Sequence, residues 1–274
     1  MVHRGTDDGS DRYPSIKSSF LLLLIFMGLQ LAIGGVLGIA GITQLNFTNT
    51  IAIGIGGFVA IRHALRKKRR SIRSLLEKNR YSYHLYLVTA VTCVGASIVL
   101  SEIDNLVMIV IPRGEYWDSI FTALYQPENL AGSLLLAVII APLVEEILFR
   151  GIITDGFAHG YSKPVAIVVP ALLWGLSHLN PWQFVTAFAL GLYLSWLYYE
   201  SRSLLACIAT HAFFNLLSLL ALVVLKTDIP GYTTTTSSSF QPLWFDLLGV
   251  ALLCFGIYAT STMLRQRSAH EDGS

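Results

Sequence analysis

Pro142-Leu-Val-Glu145-Glu146-Ile-Leu-Phe-Arg150-Gly151 sets two adjacent carboxylates and a guanidinium inside an apolar run long enough to cross a bilayer. A charged side chain at the bilayer centre costs roughly 2.5–3.5 kcal/mol on insertion scales. Chains keep such groups where they pair with one another or face a water-filled cavity. The stretch therefore predicts a polar site within a membrane-embedded helical protein, and the rest of the chain must supply its walls.

Composition agrees with that reading. The 274 residues are 54% hydrophobic and 13% charged, against about 25% charged in soluble domains. The expected fold class is all-α, a polytopic integral membrane protein with about eight transmembrane helices. Apolar runs able to cross ~30 Å of hydrocarbon fall at about 20–42, 45–64, 83–112, 131–157, 164–180, 183–199, 203–225 and 243–264. The second is short and glycine-rich. The third contains Ser101-Glu102-Ile103-Asp104, where a tilt or a break is expected. The first exceeds the ~7–15 apolar residues of a signal-peptide core and reads as a retained span.

Eight crossings also sort the charges. With the N-terminus in the cytoplasm, the inner segments hold Arg4, Arg12 and Lys17, then nine basic residues from Arg62 to Arg80. They also hold Arg150, Lys163, Arg202, Arg265 and Arg267, leaving Arg113 and Lys226 outside. This asymmetry follows the positive-inside rule and puts both termini of a multi-pass cell-membrane protein in the cytoplasm. The Arg66–Arg70 run reads as a topology anchor. Basic residues that flank spans give no nucleic-acid-binding face, so the bilayer is the expected partner. Cys93, Cys207 and Cys254 stand alone and form neither a disulfide nor a zinc framework. The loop Thr233–Ser239 is low in complexity and reads as a surface linker. Gly34 and Gly38 suggest a helix-packing face. No internal repeat supports an inverted-repeat transporter.

Other polar residues interrupt the apolar runs. His178 closes Ala171-Leu-Leu-Trp174-Gly-Leu-Ser-His178, and His211 and Asn215 lie in Thr210-His211-Ala-Phe-Phe-Asn215. His211 and Asn215 are one helical turn apart, as are Trp174 and His178, and Glu146 and Arg150. The last pair can form an ion pair on the helix surface. If the fourth and fifth runs turn near Tyr161, Glu145 lies 16 residues before the turn and His178 lies 17 after it. A rise of ~1.5 Å per residue then brings them nearly level. His211 reaches that level if Thr154–Gly160 projects into the cytoplasm, which predicts a cavity opening on that side. Interhelical hydrogen bonding, a zinc site built from His and Glu, a proton relay and a hydrolytic centre all remain open on these residues.

Taken in order, Glu-Glu-x-x-x-Arg at 145–150, aromatic-x-x-x-His at 174–178 and His-x-x-x-Asn at 211–215 resemble the CAAX protease and bacteriocin-processing family. That family includes the type II CAAX prenyl endopeptidases, and the resemblance spans about residues 85–220. Trp174 stands where the family motif usually has Phe. The resemblance implies an intramembrane endopeptidase acting on membrane-associated protein or peptide substrates. Glu145 would be general base to a water also held by His178, while His211 and Asn215 would donate to the oxyanion. Glu146 and Arg150 would brace the site, and Trp174 would pack within it. These roles require no cofactor, with a divalent metal such as zinc as the alternative. The organisation implied is an N-terminal tail, two helices and a basic loop (1–82), a catalytic core (83–226), and an outer loop, last helix and tail (227–274). A non-catalytic membrane immunity or scaffold protein of the same fold is the competing expectation.

Overall fold

The computed structural model describes residues 11–77, 81–124, 126–223, 229–233 and 239–272. Arg4, Lys78, Arg80, Lys226 and residues 234–238 of the Thr/Ser loop lie outside the described residues. The fold is all-helical, 84% helix, with no strand among the described residues. Ten helices are used below: α1 (Ile16–Ile39), α2 (Leu45–Lys68), the short α3 (Ile72–Leu76), α4 (Tyr83–Val110) and α5 (Glu115–Leu124). They continue with α6 (Leu130–Gly160), α7 (Lys163–Leu176), α8 (Pro181–Ser201), α9 (Leu204–Val223) and α10 (Leu243–Asp272). Five of them, α1, α4, α6, α9 and α10, are long and apolar enough to cross a membrane.

The fifth apolar run, expected to span 164–180, is not one helix. α7 stops at Leu176 after 14 residues, a length of only ~21 Å. Leu179 takes φ 58° in the turn that follows. The Asn180 side chain then accepts from the Gln183 N–H and Pro181 opens α8, the two signals that start a helix. His178 therefore sits in a turn rather than along a helix.

The Ser101–Asp104 patch does not break α4, which runs without interruption. Ser101 Oγ and Asn105 Nδ2 donate to the Gly231 carbonyl at 3.1 and 2.8 Å. Glu102 Oε2 accepts from the backbone N–H of Gln241 at 3.1 Å. These polar groups thus fasten the chain that leads into α10. α10 then lies against α4 at backbone contact: a Cβ on Gly95 would stand 2.3 Å from the Leu253 nitrogen. Gly34 and Gly38, by contrast, have no atom within 4 Å that an added Cβ would meet. The glycine face of α1 packs against none of the described residues.

Of the segment 154–160, expected to project into water, residues 154–157 are instead buried, while His159 and Gly160 are exposed. Asp155 and Lys68 are both fully buried and pair at 2.9 Å. Tyr198 donates to Asp155 Oδ1 at 3.1 Å, and Lys68 Nζ donates to the Tyr13 carbonyl at 3.1 Å. Arg70 pairs with Asp11 at 2.5 Å. Part of the Arg66–Arg70 run is therefore internal structure, because burying Asp155 demands a cation beside it. Together these contacts draw the segment before α1 across this end of the bundle.

Candidate active site

The site begins with a missing hydrogen-bond donor. α6 is α-helical over Ala141–Glu146 but widens to i→i+5 turns over Leu134–Ile140 and Ile147–Thr154. The Ala141 N–H bonds to the Leu136 carbonyl, so in this register the Ala137 carbonyl falls to residue 142. That residue is proline, which has no N–H. Asn215 Nδ2 donates to Ala137 O instead, at 2.8 Å. One amide hydrogen of Asn215 thereby pins α9 to α6, and the other is left for the cavity that this side chain lines.

Glu145 and Glu146 are ~100° apart around the helix and serve different partners. Glu146 points inward, fully buried, and pairs with Arg150 Nη1 at 2.8 Å. His211 Nδ1 reaches the same Glu146 oxygen at 2.9 Å. Arg150 Nη2 also donates to the Gly191 carbonyl at 3.3 Å. Glu145 turns to the cavity, where its Oε2 accepts from Trp174 Nε1 at 2.6 Å.

Trp174 is the hub. The Arg150 guanidinium lies 4.5 Å from its ring centroid. The rings of His178 and His211 meet it edge-on at 5.6 and 5.0 Å. Gly191 leaves room for the indole: a Cβ there would come within 3.0 Å of Trp174 Cε3. His178 Nδ1 is 3.0 Å from the Trp174 carbonyl. A carbonyl only accepts, so Nδ1 carries a proton, and in the neutral tautomer this leaves Nε2 as an acceptor.

Six of the seven side chains singled out from the sequence thus interlock around Trp174. Asn215 joins them through α6 and the cavity wall, with no direct hydrogen bond to His211. Gly191 and Ala137 were not foreseen, because they act through carbonyls that every residue carries. Arg113, at the far end of the cavity, was also not foreseen as a lining residue. Its signal was its separation from the other basic residues.

The cavity encloses about 640 Å³ and is lined by Glu145, Trp174, His178, His211 and Asn215. It extends towards Arg113, Trp117 and Tyr232, at the end of the bundle away from Lys68 and Asp155. The expectation of an opening on the side of the basic loops is corrected accordingly. Residues 154–157 are buried beside the Lys68–Asp155 pair, whereas the early end of α7 leaves space on the other side.

Among the described residues, no group of three His, Cys, Asp or Glu side chains converges as metal ligands. Each imidazole engages its Nδ1, that of His178 with the Trp174 carbonyl and that of His211 with Glu146. Cys93 and Cys207 are buried and direct their sulfurs at the carbonyls of Thr210 and Leu194.

Residues 127–217 match the family described as Type II CAAX prenyl endopeptidase Rce1-like. It is a protease family, and the matched stretch holds all seven of these site residues. No curated protein and no solved structure matches the chain.

Proposed function

We propose that this chain, Rce1-like over residues 127–217, is an intramembrane endopeptidase that hydrolyses peptide bonds of membrane-associated substrates. The observation that carries the reading is the buried contact between Trp174 Nε1 and Glu145 Oε2. It fixes one carboxylate oxygen of a side chain that lines the same cavity as His178. Glu145 removes a proton from a water that also donates to His178, and the water oxygen attacks the peptide carbonyl carbon. When the C–N bond breaks, Glu145 returns the proton to the leaving amine.

The oxyanion is held by the second amide hydrogen of Asn215 and by His211. Because His211 gives Nδ1–H to Glu146, its Nε2 donates only when the ring carries both protons. Losing an oxyanion donor typically costs ~2.7–4 kcal/mol of transition-state stabilisation. Arg150 holds Glu146 in place through its Nη1 contact. None of these steps uses a metal.

The same reading takes eight helices, α1, α2, α4 and α6–α10, as membrane-embedded, with both termini and the basic loops in the cytoplasm. The cavity then extends towards the outer leaflet.

The test is cleavage of a quenched library of membrane-anchored peptides, prenylated and unprenylated, by detergent-purified protein. Cleavage that is lost in Glu145→Gln and persists with chelator is expected. Chelator-sensitive cleavage would call for a metal site instead. No cleavage by folded wild-type protein would favour a non-catalytic immunity or scaffold role.

A further inference from the structure

We propose that Arg113 forms a carboxylate-binding subsite in the same cavity, one that anchors a substrate peptide at a distance from Glu145. The inference rests on the peptidase reading above. Arg113 is the only Lys or Arg among the described residues that line the cavity. A guanidinium in the wall of this cavity can recognise a carboxylate on whatever enters.

The surroundings of Arg113 are built to hold a guanidinium still. Its central carbon lies 4.8 Å from the Phe121 ring centroid and 6.0 Å from that of Trp182. Trp117 stacks on Phe121 at 6.2 Å and meets Trp182 edge-on at 5.7 Å. Trp182 is itself fixed, donating from Nε1 to the Ile111 carbonyl at 2.8 Å. Cation–π contact of this kind orients a guanidinium while leaving its edge free to donate.

One edge is clasped by Asp104, which accepts from Nη2 at 2.6 Å. A guanidinium has five N–H donors, and Nε is buried without a hydrogen-bond partner. Only 11% of the Arg113 side chain is exposed, so water screens it weakly. A clasp that merely tied the end of α4 to the following loop would need neither the aromatic frame nor a place in the cavity wall. Asp104 also restricts the ligand: a monoanionic carboxylate can share the guanidinium with it, whereas a phosphate dianion would meet stronger repulsion.

The carboxylate can belong to the peptide terminus or to an Asp or Glu side chain, and the experiment separates the two. Full-length Glu145→Gln protein in detergent is titrated with dansyl-labelled apolar hexapeptides, read by fluorescence anisotropy. Three forms are used: a free C-terminus, a C-terminal amide, and an amide carrying one internal Glu. At least one carboxylate form should bind about ten-fold more tightly than the plain amide. Arg113→Gln should abolish that preference and leave the affinity for the amide unchanged. Arg113→Lys should restore it in part, keeping charge without the fork.

Asp104→Asn should retain or enlarge the preference, since it removes only the competing carboxylate. If Arg113→Gln does not fold, the double variant Asp104→Asn/Arg113→Gln removes both charges together and must also lose the preference. A preference that survives loss of Arg113, equal binding of all three peptides, or binding of none overturns the subsite. Cleavage by the protein with Glu145 intact is scored separately. Discrimination without cleavage would sink the peptidase reading and spare the subsite, and cleavage without discrimination would do the reverse.

Discussion

Trp174 donates its indole N–H to Glu145 Oε2 at 2.6 Å, in a contact sealed from solvent. Phenylalanine, usual at this place in the family motif, could fill the space but could not donate. Trp174→Phe should leave an aromatic ring against Arg150, His178 and His211 while freeing the Glu145 carboxylate to rotate. A hydrogen bond to a charged group contributes ~1.5–3 kcal/mol. On the proposed mechanism, kcat should fall about ten- to a hundred-fold with KM nearly unchanged. Steady-state kinetics checks this: an unchanged kcat with a raised KM would assign Trp174 to substrate binding.

Arg150 and Glu146 are both fully buried, so neither can be removed alone without leaving a stranded charge. Arg150→Ala should destabilise the fold by ~3–5 kcal/mol. Glu146→Gln combined with Arg150→Met should recover most of that loss and still be inactive, because His211 loses its anion. Thermal unfolding in detergent, alongside the cleavage assay, measures both effects.

Glycines at two places should respond with opposite signs. Gly95→Ala puts a methyl group 2.3 Å from the Leu253 nitrogen, and overpacking of this kind costs ~1–3 kcal/mol. Gly34→Ala meets nothing within 4 Å and should gain ~0.5–1 kcal/mol of helix propensity. Melting temperatures of the two variants provide the comparison.

The hydrogen bond from Arg70 holds the Asp11 carboxyl below its ordinary range, with the charges of Arg70, His159 and Lys68 adding to it. A depressed carboxyl contributes stability above its unfolded pKa of ~3.9 and loses it as pH falls through the lower folded value. Asp11 is about half exposed, with 47% side-chain accessibility, so the contribution stays below ~1 kcal/mol. The difference in stability between wild type and Asp11→Asn should be present at about pH 6 and diminished at about pH 2. Paired unfolding curves at the two pH values would show it.

Much of the helical plan was legible because apolar runs report burial directly. The end of α7 was not, since Leu176 and Leu179 are as apolar as the helix before them. Asn180-Pro181 was the available signal, a capping side chain followed by a residue suited to the first turn. The wide turns of α6 leave no mark on hydropathy, and Pro142 is their one trace in the sequence. Within the site, the Glu146–Arg150 spacing gave the ion pair outright. The meeting of Glu146 with His211, 65 residues away, depends on how α6 and α9 pack, which spacing within either helix does not encode. The unexpected direction of the cavity has the same origin: residue counting gives a level along a helix axis, not the side left open.

α7 covers ~21 Å, whereas a bilayer's hydrocarbon layer is ~30 Å thick. The shortfall is local, confined to the helix that delivers Trp174 and His178. On the proposed reading that embeds α7 in the bilayer, lipids beside it thin or tilt to meet it, at a cost of fractions of a kcal/mol per Å. Membrane thickness thereby becomes a control variable: a thinner host bilayer relaxes around the short helix, and a thicker one pushes acyl chains towards the turn that carries His178.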